Sequence, residues 1–353
     1  MLPYWLLFAV FALGAVAHRR AAGSRISTPL FWLCALLMAG MIGLRYEVGP
    51  DWTGYLYMFE GVSRQKLDTA FEHGDPAFFG LLWLAHALDL EIGAVNLVCA
   101  AIFTFGLMAF ATRQQNPWLT VAVAIPYLVI VIAMSATRQA TAIGFILLGL
   151  AAFADKSLYR FMLWIFVAAL FHASALLMLP ILGLSYTRNR FQSVALLCLA
   201  AYPAYYLLAA NFEIYIDRYT NENAESQGTV YRIMMSAVPA IIYLIASKKF
   251  VLETHEKTLW RNLAIIALIC VPLLFAFPNS TALDRVALYV IPLQLFVFGN
   301  LPAVISNQKD YMAILLGVIG YLAIILFVYL NFSNHGKYYM PYKLTPMFDR
   351  GFT

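Results

Sequence analysis

Apolar runs separated by short polar interruptions follow one another along nearly the whole chain. Most are about 17–25 residues long, enough to cross about 30 Å of hydrocarbon at about 1.5 Å per residue. The pattern predicts an all-α, polytopic membrane protein with about twelve segments, near 2–17, 29–44, 93–112, 118–134, 138–154, 158–171, 173–184, 191–210, 230–247, 258–277, 285–304 and 311–331. Two stretches depart from it. Within Asp75 to Leu90 the apolar part, Phe78 to Ala87, is too short to span and predicts an interfacial or re-entrant helix. The run Phe161 to Leu184 has one membrane length but carries His172 near its centre, which predicts two short helices with His172 at their apex.

Basic residues mark cytoplasmic helix ends. His18-Arg19-Arg20 with Arg25, Lys156 with Arg160, Arg188 with Arg190, Lys248-Lys249, Lys257 with Arg261, and Lys309 all lie between apolar runs. Placing them inside puts both termini outside, in one integral membrane domain over 1–353. Its outer parts are then a loop and interfacial helix over 45–92, a loop over 211–229 and a tail over 332–353. The acidic stretch Asn211 to Gly228 reads as a lid from its length and polarity. The same parity gathers Arg45, Asp51, Arg138, His172, Arg232, Asp284 and Arg285 at the outer face, so the chemistry is expected there.

Composition agrees with a bilayer setting, with 63% hydrophobic and 12% charged residues against roughly 25% charged in a soluble protein. The net charge of +5 is scattered over loops and marks no nucleic-acid surface. Cys34, Cys99, Cys198 and Cys270 all sit in apolar runs without a CxxC spacing and read as packing residues. Ala15-Val16-Ala17 resembles a signal-peptidase site, but no Lys or Arg precedes the first apolar run, so that run reads as a retained helix.

The segment Arg45-Tyr46-Glu47-Val48-Gly49-Pro50-Asp51-Trp52-Thr53-Gly54-Tyr55 follows directly on the second run. An aromatic belt explains Trp52 and Tyr57; it does not explain Arg45 and Asp51 on either side of Gly49-Pro50. Arg138 opens a span in Ser135-Ala136-Thr137-Arg138-Gln139. It is either a snorkelling anchor or the partner of a phosphate or carboxylate, and the outer side disfavours an anchor. His172 is either a satisfied structural residue or a general base. Tyr231-Arg232, and Asp284-Arg285 with Tyr289, begin later spans and are equally open to capping or ion-pair roles. HExxH, DxD, P-loop, GxSxG and GxGxxG motifs are all missing from the sequence, and its six histidines lack metal-ligand spacing. Metal-independent chemistry with no cofactor is the expectation.

Taken together, these residues resemble the EpsG-like branch of the Wzy polysaccharide polymerases. The likeness rests on Arg45-Tyr46, Gly49, Asp51-Trp52 and Tyr55; on Asp75-Pro76 with Phe78; on Arg138-Gln139 with Ala142; and on Phe171-His172 with Ser174-Ala175. It covers roughly residues 30–185, departing at Pro50, where Thr is usual, and at Trp52, where Tyr is usual. The resemblance implies a multi-pass enzyme of the bacterial inner (plasma) membrane, similar to C-type glycosyltransferases, with its active site facing the periplasm or outside. It implies O-antigen, capsule or exopolysaccharide assembly: a glycan moves from undecaprenyl diphosphate onto the non-reducing end of another lipid-linked repeat unit. Donor and acceptor lipids, membrane lipid, a flippase and a chain-length regulator are the implied partners.

In that task Arg138, Arg45 and Arg285 are candidates for the diphosphate, with His172 the first choice of base and Asp51 the second. Tyr46, Trp52, Tyr55, Gln139, Asp75, Arg232, Asp284 and Tyr289 are candidates for the sugars. A flippase or exporter of lipid-linked oligosaccharide and an O-antigen ligase are the alternatives. One-sided polar residues and the lack of an internal repeat count against the former, and a modest late loop against the latter.

Overall fold

The computed structural model describes residues 1–18, 29–62, 74–186, 228–276, 281–305 and 308–345. The segment expected at 191–210 and nearly all of the acidic loop from 211 to 228 lie outside them. Among the described residues the chain is helical, and the β structure is limited to an isolated bridge between Arg45 and Leu344.

The first helices are α1 (Leu2–Ala17), α2 (Pro29–Gly43), α3 (Trp52–Val62), α4 (Pro76–Ala87) and α5 (Ile92–Ala111). Then come α6 (Pro117–Ala124), which widens into a π-helical turn over Ile125–Ala133, α7 (Thr137–Ala154), α8 (Leu158–Phe171) and, after a 3-10 turn, α9 (Met178–Tyr186). The second half contains α10 (Gly228–Ala246), α11 (Thr254–Ala276), α12 (Thr281–Val290), α13 (Pro292–Ile305) and α14 (Gln308–Phe332).

Among the described residues five stretches are long and apolar enough to cross a membrane: α5, α7, α11, Arg285–Val304 within α12 and α13, and Asp310–Phe332 of α14. Shorter apolar helices stand beside them at α1, α2, α4, Pro117–Ala133 and α8. Of the twelve expected spans, the one at 191–210 lies outside the described residues, and five of the others are met by stretches of full length. Two expected spans are also less regular than the hydropathy predicts, and proline is the cause. Proline lacks an N–H and clashes with the carbonyl four residues back. Pro292 accordingly divides 285–304 at Ile291, and Pro126 sits where α6 opens into the wider π turn. The chain also breaks at His172, which is extended between α8 and the 3-10 turn Ala173–Leu177.

The polar contacts collect at two ends. At one, Arg113 forks onto Asp155 at 2.6 and 2.7 Å, the Gln115 amide donates to Asn300 at 2.9 Å, and Lys156 meets Glu253 at 3.2 Å. At the other lie the Arg45 loop, Asp75, Arg138, His172 and the C-terminal tail. Between the ends the core is mainly apolar and closely packed, with a buried hydrogen bond from Gln294 of α13 to Ser236 of α10 at 3.0 Å as an exception. A Cβ added to Gly106 on α5 would fall 2.0 Å from the Gly144 carbonyl oxygen of α7, so these two backbones touch and larger residues are excluded. Cys34, Cys99 and Cys270 are free and buried, as packing residues.

Candidate active site

The turn between the π-helical segment and α7 organises the site, because its polar residues each reach a different part of the segment 45–75. Ser135 Oγ donates to Asp51 Oδ2 at 2.7 Å. Thr137 Oγ1 accepts from Arg45 Nη2 at 2.8 Å. Arg138 donates from its backbone N–H to the Tyr55 hydroxyl at 3.3 Å and from Nη1 to Asp75 Oδ2 at 2.8 Å. The loop 45–51 lies directly on this turn. Gly49 has φ +96°, and a Cβ there would stand 2.1 Å from the Met134 carbonyl oxygen, so glycine is required on both counts.

Asp75 is the hub. It occupies the N-cap of α4 in the left-handed region, φ +41°, and its backbone carbonyl accepts from Phe78 and Phe79. An N-cap carboxylate ordinarily turns onto its own helix; this one turns away. It accepts from Arg138 and from the Ala173 amide at 3.0 Å, and its Oδ2 stands 3.5 Å from His172 Nδ1, an electrostatic contact too long for a strong hydrogen bond. Burial pushes the Asp75 carboxyl up, but His172, Arg138 and the Ala173 amide together outweigh it and hold the group below the usual carboxylate range.

His172 is placed by the break after α8. Its Nδ1 faces Asp75, whereas its Nε2 is buried without a hydrogen-bond partner. A buried polar nitrogen left unpaired is costly and calls for an explanation. The next residues join the site to α12: Ser174 Oγ and the Tyr289 hydroxyl are 2.8 Å apart. Arg285, one turn earlier, and Asp75 both lie within electrostatic reach of that hydroxyl. The Tyr55 and Phe78 rings stand 6.0 and 5.8 Å from the Arg138 guanidinium carbon, within cation–π range. Burial raises the Tyr55 hydroxyl above its ordinary value, although Arg138 opposes this.

Thus Asp75, Arg138, His172 and Tyr55 come together, with Tyr289 and Arg285 adjacent. Gln139 follows Arg138, half-buried. Asp51 lies on the other side of the same turn, with Trp52 packed edge-on against the exposed Tyr46 at 5.7 Å. Arg45 is not part of the cluster. It is 1% exposed, and its guanidinium donates to the Ile42 carbonyl at 2.6 Å and to Thr137, closing the end of α2. The Arg232 guanidinium lies 5.6 Å from the Tyr127 ring on the π-helical turn, and both it and Asp51 lie within electrostatic reach of the Tyr329 hydroxyl. Asp284 lies on α12, and its side chain is outside the described residues.

Ser135, Thr137 and Ser174 were not assigned roles from sequence. They interrupt apolar runs beside Arg138 and His172, and that is the signal that could have found them. The contacts of the tail with the loop after α2 were missed as well. The Tyr46 amide donates to the Lys343 carbonyl at 3.0 Å, Lys343 pairs with Glu47 at 2.5 Å, and Thr345 donates to the Leu44 carbonyl at 2.7 Å. Repeated tyrosines at 338, 339 and 342 were its only mark in the sequence. Among the described residues no group of three or more His, Cys, Asp or Glu is gathered as a metal ion requires.

Compared with known proteins, the chain matches the profile described as the EpsG family over residues 29–344. Neither a curated protein nor a solved structure matches it.

Proposed function

From the footing that this chain belongs to the EpsG family, with its polysaccharide-polymerase-like role in a membrane, we propose that it is a glycosyltransferase joining lipid-linked repeat units. A glycan on undecaprenyl diphosphate is transferred to the non-reducing sugar of a second lipid-linked unit. The reaction takes place at the end that holds Asp75, and that end faces the periplasm or outside of a bacterial inner membrane.

One observation carries the reading: one carboxylate, Asp75, its side chain 10% exposed, holds an arginine and a histidine of opposite duties side by side. As the acceptor oxygen attacks the anomeric carbon, the bond from that carbon to the phosphate oxygen breaks and its electron pair leaves with the diphosphate. Arg138 stabilises that growing negative charge, since its bond to Asp75 uses one of several N–H donors and its side chain is 26% exposed. The attacking hydroxyl loses its proton to His172 Nε2. Asp75, facing Nδ1, favours the tautomer in which Nε2 carries the lone pair, and it stabilises the imidazolium formed. Asp75 is thus a positioning residue, a different duty from the sugar contact expected for it.

The exposed Tyr46, in the loop before α3, offers its ring to the sugars, backed by the buried Trp52 and Tyr55 of α3; from α12, Tyr289 adds a hydroxyl and Arg285 a further cation for the diphosphate. Arg45 acts through Thr137, as a brace for the turn that presents Arg138, and Asp51 holds the same turn through Ser135.

The test is reconstitution of the purified chain in proteoliposomes with lipid-linked repeat units from its native host, followed by sizing of the glycan. A ladder of multiples, lost in His172→Ala and in Arg138→Ala while both proteins insert normally, is the expected result. Unchanged single units that become accessible on the opposite leaflet would instead make the protein a flippase.

A further inference from the structure

The end opposite Asp75 holds a second polar site, in the hairpin that joins α10 to α11. A groove of about 470 Å³ opens there between the last turn of α10 and the first turns of α11. Its cations are Lys248, Lys257 and Arg261, its hydroxyl residues Ser247, Thr254 and Thr258, and no carboxylate lines it. The two helices are tied across it, for the Tyr243 hydroxyl donates to the Lys257 carbonyl at 3.3 Å.

Two features separate this groove from an ordinary basic loop. The first is pairing. At this same end Arg113 and Arg160 both reach Asp155, and Lys156 reaches Glu253. Among the described residues Lys248, Lys257 and Arg261 form no ion pair. A neighbouring cavity of about 310 Å³ mixes Arg113 and Lys249 with Glu256, so it has no such excess of one sign.

The second feature is what the cations lead into. Thr254, Lys257, Thr258 and Arg261 follow the helical repeat along one face of α11, and that face continues into the exposed Ile265 and Ile269. On α10 the exposed Ile241 and Ile245 run in the same way to Lys248. Each apolar stripe therefore ends in a cation at the mouth of one groove. A small soluble anion needs only the charges. The adjoining stripes fit a ligand with acyl chains beneath a negative headgroup.

We propose that this groove is a binding site for an anionic glycerophospholipid, its phosphate held by Lys248, Lys257 and Arg261 and its chains laid on the stripes of α10 and α11. It lies at the other end of the bundle from Asp75, Arg138 and His172, so it is distinct from the proposed donor site and does not depend on that assignment. At an anionic membrane surface each nearby Lys or Arg strengthens binding roughly fivefold, and the same increment is expected for each cation of this groove.

The test uses the full-length protein, stripped of lipid in a neutral detergent, and counts bound lipid by native mass spectrometry after addition of phosphatidylglycerol, phosphatidylcholine, a polyprenyl phosphate or inorganic phosphate. Phosphatidylglycerol is expected to be retained selectively, with about a hundredfold weaker binding when Lys248, Lys257 and Arg261 are all changed to alanine. Lys156→Ala, at the same end but outside the groove, should leave retention unchanged. Should the triple variant fail to insert, Arg261→Gln alone is expected to weaken retention about fivefold. Equal retention of phosphatidylcholine, full retention in the variants, displacement of phosphatidylglycerol by inorganic phosphate at equal concentration, or preferential capture of the polyprenyl phosphate would each overturn the proposal. Polymer formation is not part of the readout, so failure here leaves the polymerase reading untouched.

Discussion

The backbone amide of Gly49 donates to the carbonyl of Tyr338 at 2.9 Å, joining the loop after α2 to the tail after α14. Around this bond the tail forms a clasp. Tyr339 donates its hydroxyl to the Val131 carbonyl at 3.1 Å, Tyr342 donates to the Met41 carbonyl at 2.8 Å, and Tyr4 donates to the Tyr339 carbonyl at 2.7 Å. The first helix, the loop, the π-helical turn and the tail are thereby fixed to one another, and the loop carries Asp51 to Ser135.

Gly49→Ala tests the tightest point of the clasp. The new Cβ would need a left-handed backbone and would overlap the Met134 carbonyl oxygen. Strain of this kind costs on the order of 1–3 kcal/mol before any clash is counted. Thermal unfolding in detergent should shift down by several degrees, whereas Gly54→Ala, where a Cβ meets nothing within 4 Å, should lie close to wild type. Equal melting temperatures for the two variants would show that the loop is not held as described.

Tyr339→Phe removes one hydroxyl from the clasp and leaves the Val131 carbonyl without that donor. The bond is only part-buried, so its loss should cost about 1 kcal/mol, the size of an ordinary hydrogen bond. If the tail sets the loop, proteolysis should also cut near residues 45–50 faster in this variant. An unchanged cleavage pattern would limit the tail to capping α14.

Much of this arrangement could be read from local sequence, and the rest depended on distant partners. Apolar run length located α1, α2, α5, α7 and α8, and the polar His172 within such a run located the break. Pro126 and Pro292 were visible too, but hydropathy averages over a proline, so the π turn and the break at Ile291 were not foreseen. Arg45 and Arg138 looked alike in sequence, each a cation beside an apolar run. Their difference comes from residues far along the chain. Arg45 meets Thr137 and the Ile42 carbonyl and is buried, whereas Arg138 meets Asp75 and remains partly open. Asp75 was legible as the start of a helix with Pro76; its role as a hub needed the fold to bring His172 and Ala173 to it.

The low-lying pKa of Asp75 gives a pH dependence with a definite sign. Its folded value is below its unfolded value, so the unfolded chain binds the proton more readily and stability rises with pH across that interval. The contribution is therefore complete above the usual carboxylate range and is lost as pH falls through the lower folded value. Asp75→Asn should flatten this acid limb of a melting-temperature profile without altering the profile near neutrality in shape. A wild-type limb retained in the variant would assign the acid sensitivity to other carboxylates.

The pair of Asp75 with Arg138 separates support of the fold from chemistry. Their side chains are 10% and 26% exposed, so the ion pair is partly screened and worth less than a fully buried one. Arg138→Ala leaves the carboxylate short of a partner and should lower stability by about 1–3 kcal/mol. Adding Asp75→Asn removes the stranded charge, so the double variant should recover part of that loss. On the proposed mechanism it should recover no polymer, because the guanidinium assigned to the leaving diphosphate is still missing and His172 has lost the charge proposed to orient it. Arg138→Lys completes the comparison: it keeps the charge beside Asp75 and hence most of the stability, but a lysine cannot present the planar fork to a diphosphate. Its polymer yield should fall well below its loss of stability. Full chain growth in Arg138→Lys or in the double variant would reduce Arg138 to a partner of Asp75 and move the diphosphate site elsewhere, with Arg285 the next residue to examine.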